Sequence, residues 1–257
     1  MNKVKMFLAA TGVTLVAFAI VAFAAVKQAF PAKGFVVIEL YTSEGCSSCP
    51  PADALVAQIQ KEYKSQQVYI LAFHVDYWNR LGWRDVFSDA AYSTRQYDYA
   101  KYLKLPQVYT PQIVVNGKKE FVGSQAGTLR NAIKATLQQT PSAQITLTDV
   151  KLDNDKATVN YQAKDNGKNS VLLLALIEKT AVSNVKAGEN KGRSLAHVQI
   201  VRQLQTVILT DGGSGIKDIT LPTGFTPKNW EVIGLLQNTN TGEVIGAARS
   251  PLVSEFR

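Results

Sequence analysis

The sequence predicts an α/β domain, a mixed sheet with flanking helices over residues 33–140, followed by an all-β, sandwich-like domain over 143–257. An N-terminal hydrophobic segment, residues 1–32, precedes both. Three observations carry this reading. Two near-continuous apolar, β-branched runs, FVVIELYT from Phe35 and VYILAFHVD from Val68, enclose a stretch whose apolar residues recur at helical spacing. Such runs fit strands buried on both faces. After Pro141, apolar and polar residues alternate, the pattern of half-exposed antiparallel strands.

The N-terminal segment begins with Lys3 and Lys5 and is uncharged from Met6 to Val26. That order, with Ala22-Phe23-Ala24 as a small-x-small cleavage pattern, reads as a signal peptide. The same stretch is long enough to span a bilayer as an anchor. With the lysines retained in the cytoplasm, either reading exports everything after Lys27. The expected location is therefore extracytoplasmic: periplasmic, secreted, or attached to the membrane through residues 6–26.

Within the first domain, Ala52, Leu55, Val56, Ile59 and Tyr63 mark a helix starting near Ser48 or Pro50. Proline suits its first turn and Asp53 its positive dipole end. A strand, a helix and a strand make a right-handed crossover, so the two apolar strands should be parallel. A second helix follows over 88–105, capped by Ser88 or Asp89. In TPQIVVNGKKEFVGS, Asn116-Gly117 signals a hairpin, and Leu129, Ile133 and Leu137 place a final helix behind it. The later segments, from AQITLTDVKL to WEVIGLLQNTNTGEVIGAAR, read as successive strands; DGGSG at Asp211 lacks a phosphate-loop ending and reads as a turn.

Composition narrows the function. The chain is 46% hydrophobic and 19% charged with a net charge of +8, without a nucleic-acid motif or long basic run, so the excess reads as a solvated basic surface. Its 2 cysteines both lie in EGCSSCPPAD. A stabilising disulfide usually closes a longer loop, so this spacing points to sulfur chemistry, redox or metal binding. Cys46 falls at the carboxyl end of a parallel strand and the amino end of a helix, where free N–H groups and the dipole favour a thiolate. Cys46 is then the attacking sulfur and Cys49 the resolving one.

His74 and Asp76 end the second parallel strand and share that sheet edge. The imidazole can assist Cys46 or simply orient its loop. His197 reads as structural unless the β domain folds over the motif. The aromatics from Phe73 to Tyr109 form either a peptide-accepting groove or the packing of an insertion. Two thiolates with His74 could instead hold Cu(I), which prefers soft ligands; zinc would need four ligands.

Strand, Cys-x-x-Cys helix start, and a later Thr-Pro before a hairpin and helix resemble the thioredoxin fold. LYTSEGCSSC is similar to the glutaredoxin-type approach to the motif. The resemblance implies that Pro111 is cis and lies against the cysteines, with the backbone at Thr110 pairing to substrate. It also implies a buried carboxylate as proton acceptor, for which Glu39 is the candidate, a hydrogen-bond partner or solvent-facing Glu being the alternative. ELYTSEGCSSCPPAD, AFHVDYW, VYTPQIVVNG and ENKGRSLAHVQIVRQL together resemble an exported bacterial family catalogued as domain of unknown function 1223. The resulting expectation is a thiol-disulfide oxidoreductase. It would act on a thiol- or disulfide-containing protein or small thiol, be reset by a separate redox partner, and use no cofactor beyond the Cys46–Cys49 disulfide. The alternatives are a copper-binding protein and a non-enzymatic cell-envelope binding protein.

Overall fold

The computed structural model describes residues 34–153, 155–209 and 213–252; the expected signal or anchor lies outside them. Strand β1 (Val36–Thr42) leads through the cysteine motif into α1 (Pro50–Glu62), and β2 (Val68–His74) returns beside β1. The pair is parallel from Val36↔Val68 to Thr42↔His74, as a crossover of this kind requires. After the short turn Asn79–Leu81 comes α2 (Ala90–Tyr102), capped by Asp89, whose side chain accepts from the Ala91 N–H. Strands β3 (Gln112–Val115) and β4 (Lys119–Val122) form the hairpin, and α3 (Ala126–Leu137) closes this half.

The hairpin turn is doubly constrained. Asn116 and Gly117 both have positive φ, and a Cβ on Gly117 would come within 2.0 Å of the Gly242 carbonyl oxygen. Asn116 also binds β1, accepting from the Val37 N–H at 2.6 Å.

The second half supplies β5 (Gln144–Asp153), β6 (Lys156–Lys164), β7 (Ser170–Asn184), β8 (Ser194–Ile208), β9 (Ser214–Thr220), β10 (Trp230–Asn238) and β11 (Val244–Pro251). They do not all form a sheet of their own. Four of them extend the first sheet to eight strands in the order β11-β10-β7-β8-β2-β1-β3-β4; β5, β6 and β9 form a separate antiparallel sheet. The seam is the parallel contact of β2 with β8 at Ala72↔Ile200. β2 is apolar on both faces, as a sheet-interior strand must be, and its free edge is what β8 covers.

One face of the long sheet is a single apolar layer. It runs from Val37, Tyr41 and Phe73 across to Ala175, Ile233 and Leu235, and Tyr92 and Tyr99 of α2 pack on it. The other face is divided. Leu55, Val56 and Ile59 of α1 and Leu129 and Ile133 of α3 cover β1 and β3, whereas Ile145, Leu147 and Val159 of the three-stranded sheet cover Leu172, Leu174 and Val232. The second contact is sandwich-like.

Strands β7 and β8 are each 15 residues long, with a register shift near Leu176. The shift leaves Arg202 as the extra residue of β8, and Gln199, three residues before it, has positive φ. Beyond it the ribbon continues through Thr180↔Val198 to Asn184↔Ser194. Its tip lies over the cysteine motif.

Candidate functional site

Cys46 and Cys49 are joined by a disulfide with their Cα atoms 5.4 Å apart. The backbone turns out of β1 through Ser43, whose carbonyl accepts from the Cys46 N–H, and the Cys46 carbonyl accepts from the Cys49 N–H. Ser47 and Ser48 are exposed, yet both cysteines have 0% exposure. The Ser48 hydroxyl lies 3.3 Å from the Cys46 sulfur. Pro50 and Pro51 fill the first two helical positions and carry no N–H. The Ser47 N–H donates to Glu189 at 2.9 Å. The thiolate-stabilising amides expected from the sequence are thus fewer than a general helix start offers.

The cover is the turn between β7 and β8. Asn190, itself 0% exposed, donates from Nδ2 to the carbonyls of Glu44 and Cys46, both at 2.9 Å. Its Oδ1 accepts from Arg193. Gly188 and Gly192 flank this segment at positive φ, and Gly188 packs on Trp83. Glu189 is held below the usual carboxylate range by its bonds to Ser47.

The Thr110–Pro111 peptide is cis. Pro111 is buried and approaches the first turn of α1: the Gly123 backbone is so placed that an added Cβ would meet Pro111 at 3.0 Å and Ala52 at 3.1 Å. Thr110 Oγ1 accepts from the Trp78 indole at 2.8 Å, and Trp78 in turn abuts Gly45.

Of the supporting residues expected from the sequence, His74 is at the motif's edge and Asp76 and Glu39 are committed elsewhere. Asp76 bonds Ser93 of α2. Glu39 lies on the α2 face of the sheet, opposite α1; its carboxylate accepts from Arg95 at 2.6 and 2.9 Å and from the Tyr99 hydroxyl at 2.6 Å. Burial chiefly holds the Tyr99 and Tyr41 phenols far up, with the Glu39 charge adding to it. Of the aromatics in the 73–109 stretch, Phe73, Phe87, Tyr92 and Tyr99 are buried and Tyr77 and Trp78 pack partly buried against the core, while Tyr97 and Tyr102 are exposed.

Residues that sequence reasoning left out complete a buried charged cluster. His74 Nδ1 meets Asp85 Oδ2 at 2.7 Å with neither side chain exposed, and Asp85 also accepts from the N–H groups of Glu44 and Phe87. Burial alone would lower the His74 pKa, but the charges of Asp85, Asp53 and Glu44 outweigh it and raise it. Burial would raise Asp85, but His74 and the two amides bring it below the usual carboxylate range. His197, from β8, stacks edgewise on His74 with ring centroids 4.8 Å apart. Its Nε2 is 3.7 Å from Glu44 Oε1 and its Nδ1 3.6 Å from Asp53 Oδ1. Asp53 accepts from Thr42 and Glu44 from the Trp83 indole. Among the described residues, His74 Nε2, both ring nitrogens of His197 and Glu44 Oε1 are buried without a hydrogen bond. Among the described residues, no group of three His, Cys, Asp or Glu is placed to hold a metal ion. The one available signal was the block ENKGRSLAHVQIVRQL, which holds both Asn190 and His197.

The model of a family described as "Protein of unknown function (DUF1223)" matches residues 37–237. The fold is similar to the crystal structure of protein AGR_C_4864 from Agrobacterium tumefaciens, 28% identical, with a TM-score of 0.65 over 86% of this chain and 96% of that one. A domain of the outer membrane lipoprotein Omp28 from Porphyromonas gingivalis matches 44% of this chain and 88% of its own at 16% identity, with a TM-score of 0.28. None of the curated proteins matches.

Proposed function

The chain belongs to the DUF1223 family, and from the residues at its sheet edge we propose that it is an extracytoplasmic thiol-disulfide oxidoreductase. The observation that carries this is the Cys46–Cys49 disulfide, set between the end of β1 and the start of α1. The thioredoxin-like arrangement of parallel β1 and β2, the β3–β4 hairpin and α3, with Pro111 beside α1, supports it. The uncharged N-terminal stretch and basic start support export.

In the reducing direction, the Cys46 thiolate attacks a disulfide of the partner, displacing one partner sulfur as thiolate and forming a mixed disulfide. Cys49, as thiolate, then attacks the Cys46 sulfur. That forms the Cys46–Cys49 bond and releases the partner's second thiolate. The reverse sequence oxidises a dithiol. A separate redox partner resets the pair.

The test is a redox titration of residues 33–257 in defined thiol buffers, with thiols trapped by alkylation. A reversible two-electron transition is expected. A midpoint near about −270 mV assigns a reductase and one near about −120 mV an oxidase. Cys46→Ser should abolish exchange, whereas Cys49→Ser should accumulate the mixed disulfide on Cys46. A pair that never titrates, or equal loss in both variants with no trapped species, overturns the reading in favour of a binding protein with an inert disulfide.

A further inference from the structure

Resting on that reaction, we infer that His197 assists proton transfer at Cys49: it faces Asp53 and takes on the proton that Cys49 gives to Asp53 when it resolves the mixed disulfide. The resolving step needs Cys49 as thiolate, yet both sulfurs are fully buried, so the proton must go first to a protein group. Asp53 stands one helical turn after Cys49, its N–H donating to the Cys49 carbonyl. Residues four apart in a helix share one face, and the Asp53 side chain is 7% exposed.

His197 has no other evident task. A structural histidine uses its ring nitrogens in hydrogen bonds, since a buried polar group without one is costly. Here both nitrogens are buried and unbonded, each facing a carboxylate at 3.6 or 3.7 Å. An imidazole so placed can accept a proton at Nδ1 from Asp53 and release one from Nε2 to Glu44. Small tilts of the ring close either gap. Glu44 is itself buried, and its other oxygen accepts from the indole N–H of half-buried Trp83.

Every element around the ring contributes a titratable group. Glu44 comes from the turn after β1, Asp53 from α1, His74 from β2 and Asp85 from the segment before α2. Phe87 closes the remaining side at 5.6 Å, with the Arg202 guanidinium 5.1 Å over its ring. His74 is already paired with Asp85, which leaves His197 to exchange protons with Asp53 and Glu44.

The step balances. Cys49 Sγ–H gives its proton to Asp53, and the sulfur's electron pair forms the bond to Cys46 Sγ. The bond from Cys46 to the partner sulfur breaks, and that sulfur leaves as thiolate. The cluster holds the extra proton among Asp53, His197 and Glu44.

The experiment loads Cys46 of the reduced protein with 5-thio-2-nitrobenzoate and follows release of the coloured thiolate from pH 5 to 10. His197→Gln should slow release about 100-fold at pH 7, the scale of general acid–base assistance. The deficit should shrink as pH rises and vanish once Cys49 ionises unaided. A merely structural role gives a pH-independent deficit or none, and either result overturns the proposal. Nitrogen NMR of the unsubstituted protein gives a second reading: the His197 ring signals should shift between the oxidised and reduced states, and unchanged signals overturn the proposal even if the variant fails to fold. If wild-type Cys46 never takes up or releases the label, the oxidoreductase reading itself falls, a result distinguishable from normal release with an unaltered His197→Gln profile.

Discussion

His74 and Asp85 form an ion pair with no solvent contact, and that makes the protein's stability depend on pH in a definite direction. The His74 pKa is raised in the fold above its ordinary 6.5, so its stabilisation is complete below 6.5 and is lost as pH rises through the raised value. Asp85 is lowered from its ordinary 3.8, so its contribution is complete above 3.8 and is lost as pH falls through the lowered value. The pair contributes fully between pH 3.8 and 6.5. Tm measured from pH 5 to 9 should fall on the alkaline side, and His74→Gln should flatten that limb while lowering Tm at pH 5. An unchanged limb in the variant would assign the pH dependence to other groups. The sequence disclosed His74 as a group at the sheet edge because its position at the end of an apolar run is local information. Asp85 was not legible as its partner: it lies 11 positions further along, past the short turn Asn79–Leu81, and no periodicity governs such a segment. Glu39 shows the same difficulty. Its place on β1 was legible, but the face it occupies is defined by Arg95 and Tyr99, at 56 and 60 residues' separation.

At the scale of elements, the β7–β8 turn decides access to the sulfurs. Asn190 donates to two buried carbonyls, those of Glu44 and Cys46; the Cys46 carbonyl also accepts from the Cys49 N–H. It is the Glu44 carbonyl that would lose its donor, and a buried acceptor so left costs about 1–3 kcal/mol. Asn190→Ala should therefore loosen the turn and speed reduction of the disulfide by a small dithiol several-fold, roughly tenfold for each 1.4 kcal/mol lost from the closed state. Stopped-flow reduction followed by alkylation measures it; a rate equal to wild type would show that this turn does not limit access. Strands, helices and the Asn116-Gly117 hairpin were readable because each depends on residues only a few positions apart. The turn at Asn190 was marked in the sequence only as part of the block ENKGRSLAHVQIVRQL. Its meaning comes from docking onto a motif 144 residues earlier in the chain.

For the whole molecule, the continuous sheet makes the two halves interdependent. A fragment of residues 33–140 would leave the β2 edge open and strip Ala175, Ile177, Val201 and Ile233 from the apolar layer under α2. Open apolar strand edges favour association, so this fragment should aggregate or lack a cooperative transition, whereas residues 33–257 should unfold in one step by calorimetry and circular dichroism. A fragment that folds as a monomer with a sharp transition would show that the seam at Ala72↔Ile200 is dispensable. The sequence by itself determined the element order, the paired cysteines at a strand–helix junction and the alternating strands after Pro141, because these follow from short-range spacing. Tertiary structure alone decided that β8 joins β2, that Asn190 seals the disulfide, and that Glu44, Asp53, His74, Asp85 and His197 meet in one buried cluster. The physical reason is that such contacts join segments by shape and charge across long separations, and the periodicity of a sequence records only which face of each segment is apolar.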